Sequence, residues 1–325
     1  MPRQSPDLNL LSFSGILSMI KPTKQWLRNR DFILVSAVVC GLIAGRGASW
    51  TQPLVLPALA VVMTLSTMGV RSEMLRSPRD LWRPALAGLL LNYLMLGGVL
   101  LGLSSLMVRE PAMKDGFVLL VAVPPAIAVI PFTDFLRGNT TFSLLATVAC
   151  YLGALIITPL IALAFLGTSS IEPRSLVMVI VELIGLPLLV SRVLLWTSMA
   201  ARLEPIKGTI TNWSFFVVTY TIVGLNQDLF LQRPLTLVPV AFIALISTFL
   251  LGAMIDRVGR LMGIDRSTLT SLVLLGTLKN YGIAGGLALA LFSKTTAIPA
   301  SVSSIFMIVY IIWLDLQKRR TSPES

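Results

Sequence analysis

The chain has 325 residues, of which 55% are hydrophobic and 13% are charged, and its mean hydropathy is +0.84. An average soluble domain is about 25% charged, so this composition excludes an ordinary soluble protein. The net charge is +11, but the basic residues separate apolar segments instead of clustering on one surface, which excludes a nucleic-acid binder. The chain has no histidine, and Cys40 and Cys150 lie in apolar runs, which excludes His-ligated metal sites, His-based triads and a disulfide framework.

The first segment, residues 1–31, holds five basic residues around an apolar stretch at Leu10–Ile20. Serine and glycine interrupt this stretch, and it lacks a small-residue cleavage site. These features favour a basic, interfacial helix on the cytoplasmic side over a signal peptide.

Stretches free of Asp, Glu, Lys and Arg dominate the rest of the chain, and several reach the length of about 20 residues that spans a bilayer. They predict an all-α, polytopic membrane protein with ten transmembrane helices. The predicted spans 1 to 10 lie near 32–49, 53–70, 84–107, 116–136, 141–166, 175–199, 209–227, 235–255, 268–292 and 296–316.

The charges between the spans predict an orientation. If the N-terminus is cytoplasmic, the inner segments carry 18 basic residues and the outer segments carry six. This distribution satisfies the positive-inside rule and places both termini, including a basic tail at 317–325, in the cytoplasm. We expect an integral protein of the cell (inner) membrane.

The ten spans divide into two halves of five, residues 32–166 and 175–316. Because five is odd, the second half must insert upside down relative to the first. Two inverted repeats of this kind are typical of secondary transporters, whose substrate sites lie between the repeats near the middle of the membrane.

The fourth span of each half is rich in residues that interrupt helices. Span 4 contains Pro124, Pro125 and Pro131, and span 9 contains Lys279-Asn280-Tyr281-Gly282. We predict that both helices break near mid-depth and expose backbone groups that can hold charged solutes. The alternative is that these residues only kink the helices or allow close packing.

Lys279 is the most informative single residue, because it lies about 11 residues inside span 9, roughly 16 Å from the inner end. An ionisable residue at this depth marks a candidate functional site. The neighbouring Asn280 offers both donors and acceptors. The alternatives are that Lys279 pairs with a carboxylate such as Asp134 or Glu182, and that Asn280 links helices.

Other polar residues of the spans are further candidates. Ser143 and Thr147 are four positions apart and share one face of span 5, while Asn92 is the sole strongly polar residue of span 3. Hydroxyl groups often bond to their own helix, so a structural role is open for the first two. With no paired intramembrane carboxylates, no histidine and no nucleophile elbow, we expect neither an enzyme nor a cofactor.

These segments resemble the bile acid:sodium symporter family. The likeness lies in Val123-Pro124-Pro125, in the Arg137-Gly138-Asn139 loop, in Thr158-Pro159-Leu160 and in Lys279-Asn280-Tyr281-Gly282. It implies ten helices in a panel domain (spans 1, 2, 6 and 7) and a core domain (spans 3–5 and 8–10). Spans 4 and 9 would cross at their breaks, and organic anions would move through the cleft between the domains by alternating access.

The resemblance also implies where ligands for sodium would stand. Val129 and Ile130 replace a serine and an asparagine of sodium-coupled members, Leu275 replaces a glutamate, and Lys279 replaces a glutamine. Sodium coupling is therefore doubtful, and we predict that Lys279 supplies a tethered cation. Burial disfavours the charged amine, so Lys279 could exchange a proton in a proton-linked carrier, or the carrier could be uncoupled.

We thus predict a secondary transporter of a small organic anion, embedded in membrane lipid, with a proton as a possible partner. The alternatives are a non-transporting membrane sensor, in which Lys279 locks spans 4 and 9 together, and a sodium-coupled symporter with a rearranged ion site. The predicted substrate- and ion-binding residues are Lys279, Asn280, Tyr281, Pro124, Pro125, Ser143, Thr147 and Asn92.

Overall fold

A computed structural model describes residues 30–68, 78–167, 173–197 and 199–321. This part of the chain is helical and contains no β-strand, and six continuous helical stretches, some of which join several of the helices given below, are long and apolar enough to cross a membrane. An all-α membrane fold is therefore confirmed, whereas the number of ten spans and their inverted arrangement remain predictions. The predicted interfacial helix at Leu10–Ile20 and residues 322–325 of the basic tail lie outside the described residues.

The helices are numbered α1 to α17 in chain order. Their bounds are Arg30–Ile43, Ala48–Thr51, Val55–Thr67, Pro78–Leu89, Gly97–Met107, Pro111–Ala122, Val129–Phe135, Thr140–Leu166, Pro173–Ile180, Leu186–Trp196, Met199–Leu225, Gln227–Gln232, Val238–Leu245, Leu251–Leu261, Arg266–Thr277, Tyr281–Leu291 and Ile298–Thr321. Three wider, π-type turns connect α4 to α5, α9 to α10 and α13 to α14: Leu90–Leu96, Val181–Gly185 and Ile246–Leu250.

Some predicted spans are not long apolar helices, for identifiable reasons. Span 4 is divided between α6 and α7, and span 9 between α15 and α16, because Pro124 and Pro125 and the Lys279-Asn280 pair interrupt them. Helix α1 has 14 residues, and the first part of α11 carries Arg202 and Lys207.

The helices pack in two groups. In the first, α1 and α3 both pack on α11, and α10 packs on α3. In the second, α8 contacts α4, α6 and α7, while α17 contacts α6, α13 and α16. We call them the panel group and the core group, after the two domains that the family resemblance implies.

The two broken spans meet at their breaks inside the core group. Pro125 and Lys279 form an antiparallel backbone bridge, and beside it the Asn280 N–H donates to the Pro124 carbonyl at 3.0 Å. Backbone groups that a broken helix leaves without partners must be satisfied within the protein at membrane depth. Each break here satisfies part of the other, and the two interruptions that the sequence predicts lie in contact.

Candidate functional site

The ammonium group of Lys279 lies at the crossing and is completely buried. Its Nζ donates to Asn92 Oδ1 at 2.7 Å, to the Val121 carbonyl at 2.8 Å and to the Val123 carbonyl at 2.9 Å. The ring of Tyr93 adds a cation–π contact, with Nζ 4.5 Å from the ring centroid. Lys279 therefore occupies a cage of three oxygen atoms and one aromatic ring.

This cage matches the charged form of the side chain. An ammonium has three N–H donors, and three acceptors surround it, whereas a neutral amine has only two donors. The carbonyls of Val121 and Val123 belong to the C-terminal end of α6, where the helix dipole favours a cation. The Lys279 side chain, which lies at the break of span 9, thus caps the C-terminal end of α6 in span 4.

The carboxylate pairing considered for Lys279 is not formed with either candidate. The acceptors of its Nζ are one amide and two backbone carbonyls, and Asp134 and Glu182 are both exposed. The hydroxyls of Ser143 and Thr147 are not acceptors of the ammonium either.

Asn92 joins span 3 to the break of span 9. It lies in the π-type turn Leu90–Leu96 and is completely buried. Its Oδ1 accepts from Lys279, and its Nδ2 donates to the carbonyls of Leu275 at 3.1 Å and Leu278 at 3.3 Å. These carbonyls end the first half of span 9, so the Asn92 amide caps α15 while the lysine caps α6.

Asn280 begins the second half of span 9. Its Oδ1 accepts from the Ile283 N–H at 3.0 Å, which makes it the N-cap of α16. Its Nδ2 donates to the Tyr151 hydroxyl at 2.7 Å, and that hydroxyl donates to the Pro125 carbonyl at 3.0 Å. The alternative considered for Asn280, a link between helices, is thus formed through Tyr151.

Sequence reasoning missed Tyr151, although a signal was present. Ser143, Thr147 and Tyr151 follow one another at intervals of four and therefore share one face of α8. Thr158 continues this face after two further turns, and its hydroxyl donates to the Ala122 carbonyl at 2.8 Å. The polar face of α8 therefore faces the break of span 4.

Ser143 and Thr147 lie on the same polar face of α8 but away from the oxygen cage around Lys279. The Ser143 Oγ is 2.7 Å from Thr133 Oγ1, whose hydroxyl also donates to the Val129 carbonyl at 2.7 Å. The Thr147 Oγ1 is buried, and within the described part of the chain it has no hydrogen-bond partner. The predicted residues therefore form two clusters, one around Lys279 and Asn280 and one around Ser143.

A pocket opens between the two groups of helices beside the crossing. The panel side contributes Leu34 and a face of α11, and the core side contributes the breaks of both spans and part of α17. The residues that line it are Leu34, Ala126, Ile127, Ala128, Phe215, Val218, Thr219, Ile222, Val223, Lys279, Asn280, Tyr281, Gly282, Ala300, Ser301, Ser304, Met307 and Ile308. Of the predicted residues, Lys279, Asn280 and Tyr281 line this pocket.

Known proteins share this sequence pattern. The profile of the Sodium Bile acid symporter family matches residues 56–233. The "Probable sodium/metabolite cotransporter BASS1, chloroplastic" of Arabidopsis thaliana is 25% identical over 295 residues, which cover 88% of this chain and 72% of that protein. The "Uncharacterized sodium-dependent transporter YocS" of Bacillus subtilis (strain 168) is 22% identical over 237 residues, which cover 72% of each.

Proposed function

Since this chain belongs to the Sodium Bile acid symporter family of membrane transporters, we propose that it carries a small organic anion by alternating access between the panel and core groups. The pocket beside the crossing is the proposed substrate site. In this proposal residues 32–166 and 175–316 form inverted repeats. Two features support this inverted arrangement. The breaks lie in corresponding spans, 4 and 9, and π-type turns lie in corresponding spans, 3 and 8.

The lining of the pocket supports an amphipathic anion as the substrate. Most of the lining is apolar, and its polar groups include Asn280, Thr219, Ser301 and Ser304. The described residues of the lining include no acidic side chain, and the buried Lys279 ammonium beside the pocket carries a positive charge. An organic molecule with an apolar body and a carboxylate fits this combination of groups.

The proposed coupling rests on a single observation, the cage of oxygen atoms around Lys279. Carbonyl and amide oxygens are ligands suited to a hard cation, and here they hold a covalently attached ammonium. We therefore propose that Lys279 takes the place of a bound metal ion. Transport is then either linked to protons or uncoupled.

Loss of a proton from Lys279 would alter the crossing itself. A neutral amine could donate to only two of the three oxygens and would leave one buried acceptor without a donor, at a cost of about 1–3 kcal/mol. The three acceptors come from span 3 and from the end of α6, and Lys279 connects them to the break of span 9. Protonation of Lys279 and the geometry of the breaks are therefore linked, which is the property that a proton-coupled carrier requires.

Two alternative functions also have support. Sodium coupling at a rearranged site is favoured by the names of the two relatives and by the buried Thr147 hydroxyl near Ser143, which has no hydrogen-bond partner among the described residues. A non-transporting sensor is favoured by the complete satisfaction of the Lys279 ammonium, which would suit a fixed strut.

Uptake into proteoliposomes separates the three functions. We would measure uptake of taurocholate and of hexanoate under a sodium gradient, a pH gradient or neither, with wild type, Lys279→Gln, and Lys294→Gln as a control at an exposed position. The proposal predicts uptake without sodium that is altered in Lys279→Gln and unchanged in Lys294→Gln. Complete dependence on sodium in both wild type and Lys279→Gln would contradict it, and binding without uptake or counterflow would favour the sensor.

A further inference from the structure

A second, larger cleft lies among α7, α14, α15 and α17, and it shares no lining residue with the pocket at the crossing. Its walls come from the turn after α7, from α14 and α15, and from the end of α17. Its charged lining residues are Arg137, Arg257, Arg260, Arg266, Lys318, Asp256 and Asp315. Among the described residues, the cleft therefore has five basic and two acidic side chains, an excess of three positive charges.

The positive charges are only partly neutralised by the protein. Arg260 is paired with Asp256 in the cleft. Arg137, Arg257 and Arg266 are exposed, and none of them belongs to a salt bridge with another described residue. Three guanidinium groups are thus presented to the space of the cleft.

The backbone holds Arg137 in a fixed position. Its φ angle is +47°, a left-handed conformation that residues other than glycine rarely adopt. The turn is closed by the Gly138 N–H, which donates to the Thr133 carbonyl at 2.7 Å, and the Asn139 N–H donates to the Ser267 carbonyl at 2.9 Å. The turn is therefore attached to the start of α15, which carries Arg266.

The other walls of the cleft are apolar. Leu269 and Val273 line it from α15, and Tyr310 and Trp313 line it from α17. The rings of Tyr310 and Trp313 are stacked, with centroids 5.8 Å apart. Tryptophan and tyrosine are enriched where a membrane protein meets the headgroup region, because one part of the ring system is apolar and another is polar.

We propose that this cleft binds one anionic phospholipid of the leaflet at this end of the helices. The phosphate would lie among Arg137, Arg257 and Arg266, and the acyl chains would lie against the apolar wall that includes Trp313. Basic pockets between membrane helices recognise anionic headgroups by charge. A soluble anion would use the basic rim but not the apolar wall, so the combination favours a lipid.

The test measures how much lipid remains bound to the purified, full-length protein. The probes are dioleoyl phosphatidylglycerol and dioleoyl phosphatidylcholine, which have the same acyl chains, and native mass spectrometry counts the lipids retained in neutral detergent. We expect retention of phosphatidylglycerol over phosphatidylcholine. The variant Arg137→Gln/Arg257→Gln/Arg266→Gln should lose affinity for phosphatidylglycerol by about fivefold for each arginine replaced.

A matched variant removes three exposed arginines that lie outside the cleft, Arg46→Gln/Arg109→Gln/Arg233→Gln. It changes the net charge equally and should retain the lipid as wild type does. The variant Asp256→Asn frees Arg260 from its salt bridge and should increase retention, so the proposal is tested even if the triple variant does not fold. Equal losses in the two triple variants, unchanged retention in Asp256→Asn, or full displacement of the lipid by glycerol 3-phosphate would overturn it.

Discussion

The Asn92 carboxamide and the Lys279 ammonium, 187 positions apart in the chain, share a buried hydrogen bond of 2.7 Å. The same carboxamide donates to the carbonyls that end α15, and the same ammonium donates to the carbonyls that end α6. These two side chains therefore join three spans at the point where two of them are broken. Their hydrogen bond therefore holds both side chains where they can bind the backbone carbonyls at the ends of α6 and α15 at the same time.

The first prediction concerns the energy of this pair. Replacing either residue alone, in Asn92→Leu or Lys279→Met, leaves buried polar groups without partners and should destabilise the protein by about 1–3 kcal/mol for each group left unsatisfied. The double variant should cost less than the sum, with an interaction energy of about 0.5–3 kcal/mol. Reversible unfolding in detergent micelles measures all four proteins. Leu94→Ala, at an exposed position in the same turn, is the control and should have a small effect.

The second prediction concerns the cage without its ammonium. Lys279→Ala leaves Asn92 Oδ1 and the carbonyls of Val121 and Val123 around an empty volume that suits a small monovalent cation. Uptake by this variant should therefore acquire a dependence on sodium or ammonium ions that wild type lacks. The assay varies each salt at constant ionic strength, with choline chloride as the replacement. Equal responses of wild type and variant to sodium would refute the tethered-cation mechanism.

The third prediction concerns the Tyr151 hydroxyl, which bridges Asn280 and the Pro125 carbonyl. Tyr151→Phe leaves a buried amide donor and a buried carbonyl without this partner, so we expect a loss of about 1–3 kcal/mol in the free energy of unfolding. Uptake should also slow, because the link between the two breaks is lost. Tyr220→Phe removes an exposed hydrogen bond to the Ala44 carbonyl and should have a smaller effect on both measurements.

The fourth prediction concerns close packing between α14 and α17. A Cβ atom at Gly252 would overlap the hydroxyl of the buried Tyr310. Gly252→Ala should therefore destabilise the protein by about 1–3 kcal/mol, and Tyr310→Phe in the same chain should restore part of this loss. Thermal unfolding measures both effects. Gly98→Ala has open space around its Cβ and should be close to neutral.

The fifth prediction concerns pH and the start of α15. Hydrogen bonds from the Ser267 hydroxyl and the Thr268 N–H lower the pKa of Asp265 from 3.8 to about 2. A lowered pKa in the folded state means that the ionised cap contributes stability above about pH 4, and that this contribution disappears as the pH falls through about 2. The difference in melting temperature between wild type and Asp265→Ala should therefore shrink between pH 4 and pH 2.

Asn139 provides the control for this pH dependence. Its side chain caps α8 by accepting from the Phe142 N–H at 3.0 Å, and an amide does not titrate in this range. Asn139→Ala should lower the melting temperature by a similar amount throughout the same pH range. If the difference in melting temperature between wild type and Asp265→Ala stays constant with pH, ionisation of the Asp265 cap does not contribute to stability.

The amino-acid sequence alone determined the membrane class, the two interruptions and the unusual position of Lys279. Charge-free runs of membrane length, three prolines in span 4 and a lysine deep in span 9 are local features, and their physical consequences follow from composition and spacing. The polar face of α8 was also partly visible, because Ser143 and Thr147 share its period with Tyr151.

Only the tertiary structure decided what surrounds the ammonium. Two of its three acceptors are the backbone carbonyls of Val121 and Val123, and every residue of the chain carries such a carbonyl. A carbonyl becomes available only where a helix ends without a following turn, and which cation reaches it depends on how the spans pack. The third acceptor, Asn92, is brought to the lysine by that packing. No pattern along the chain could therefore distinguish this cage from pairing with a carboxylate.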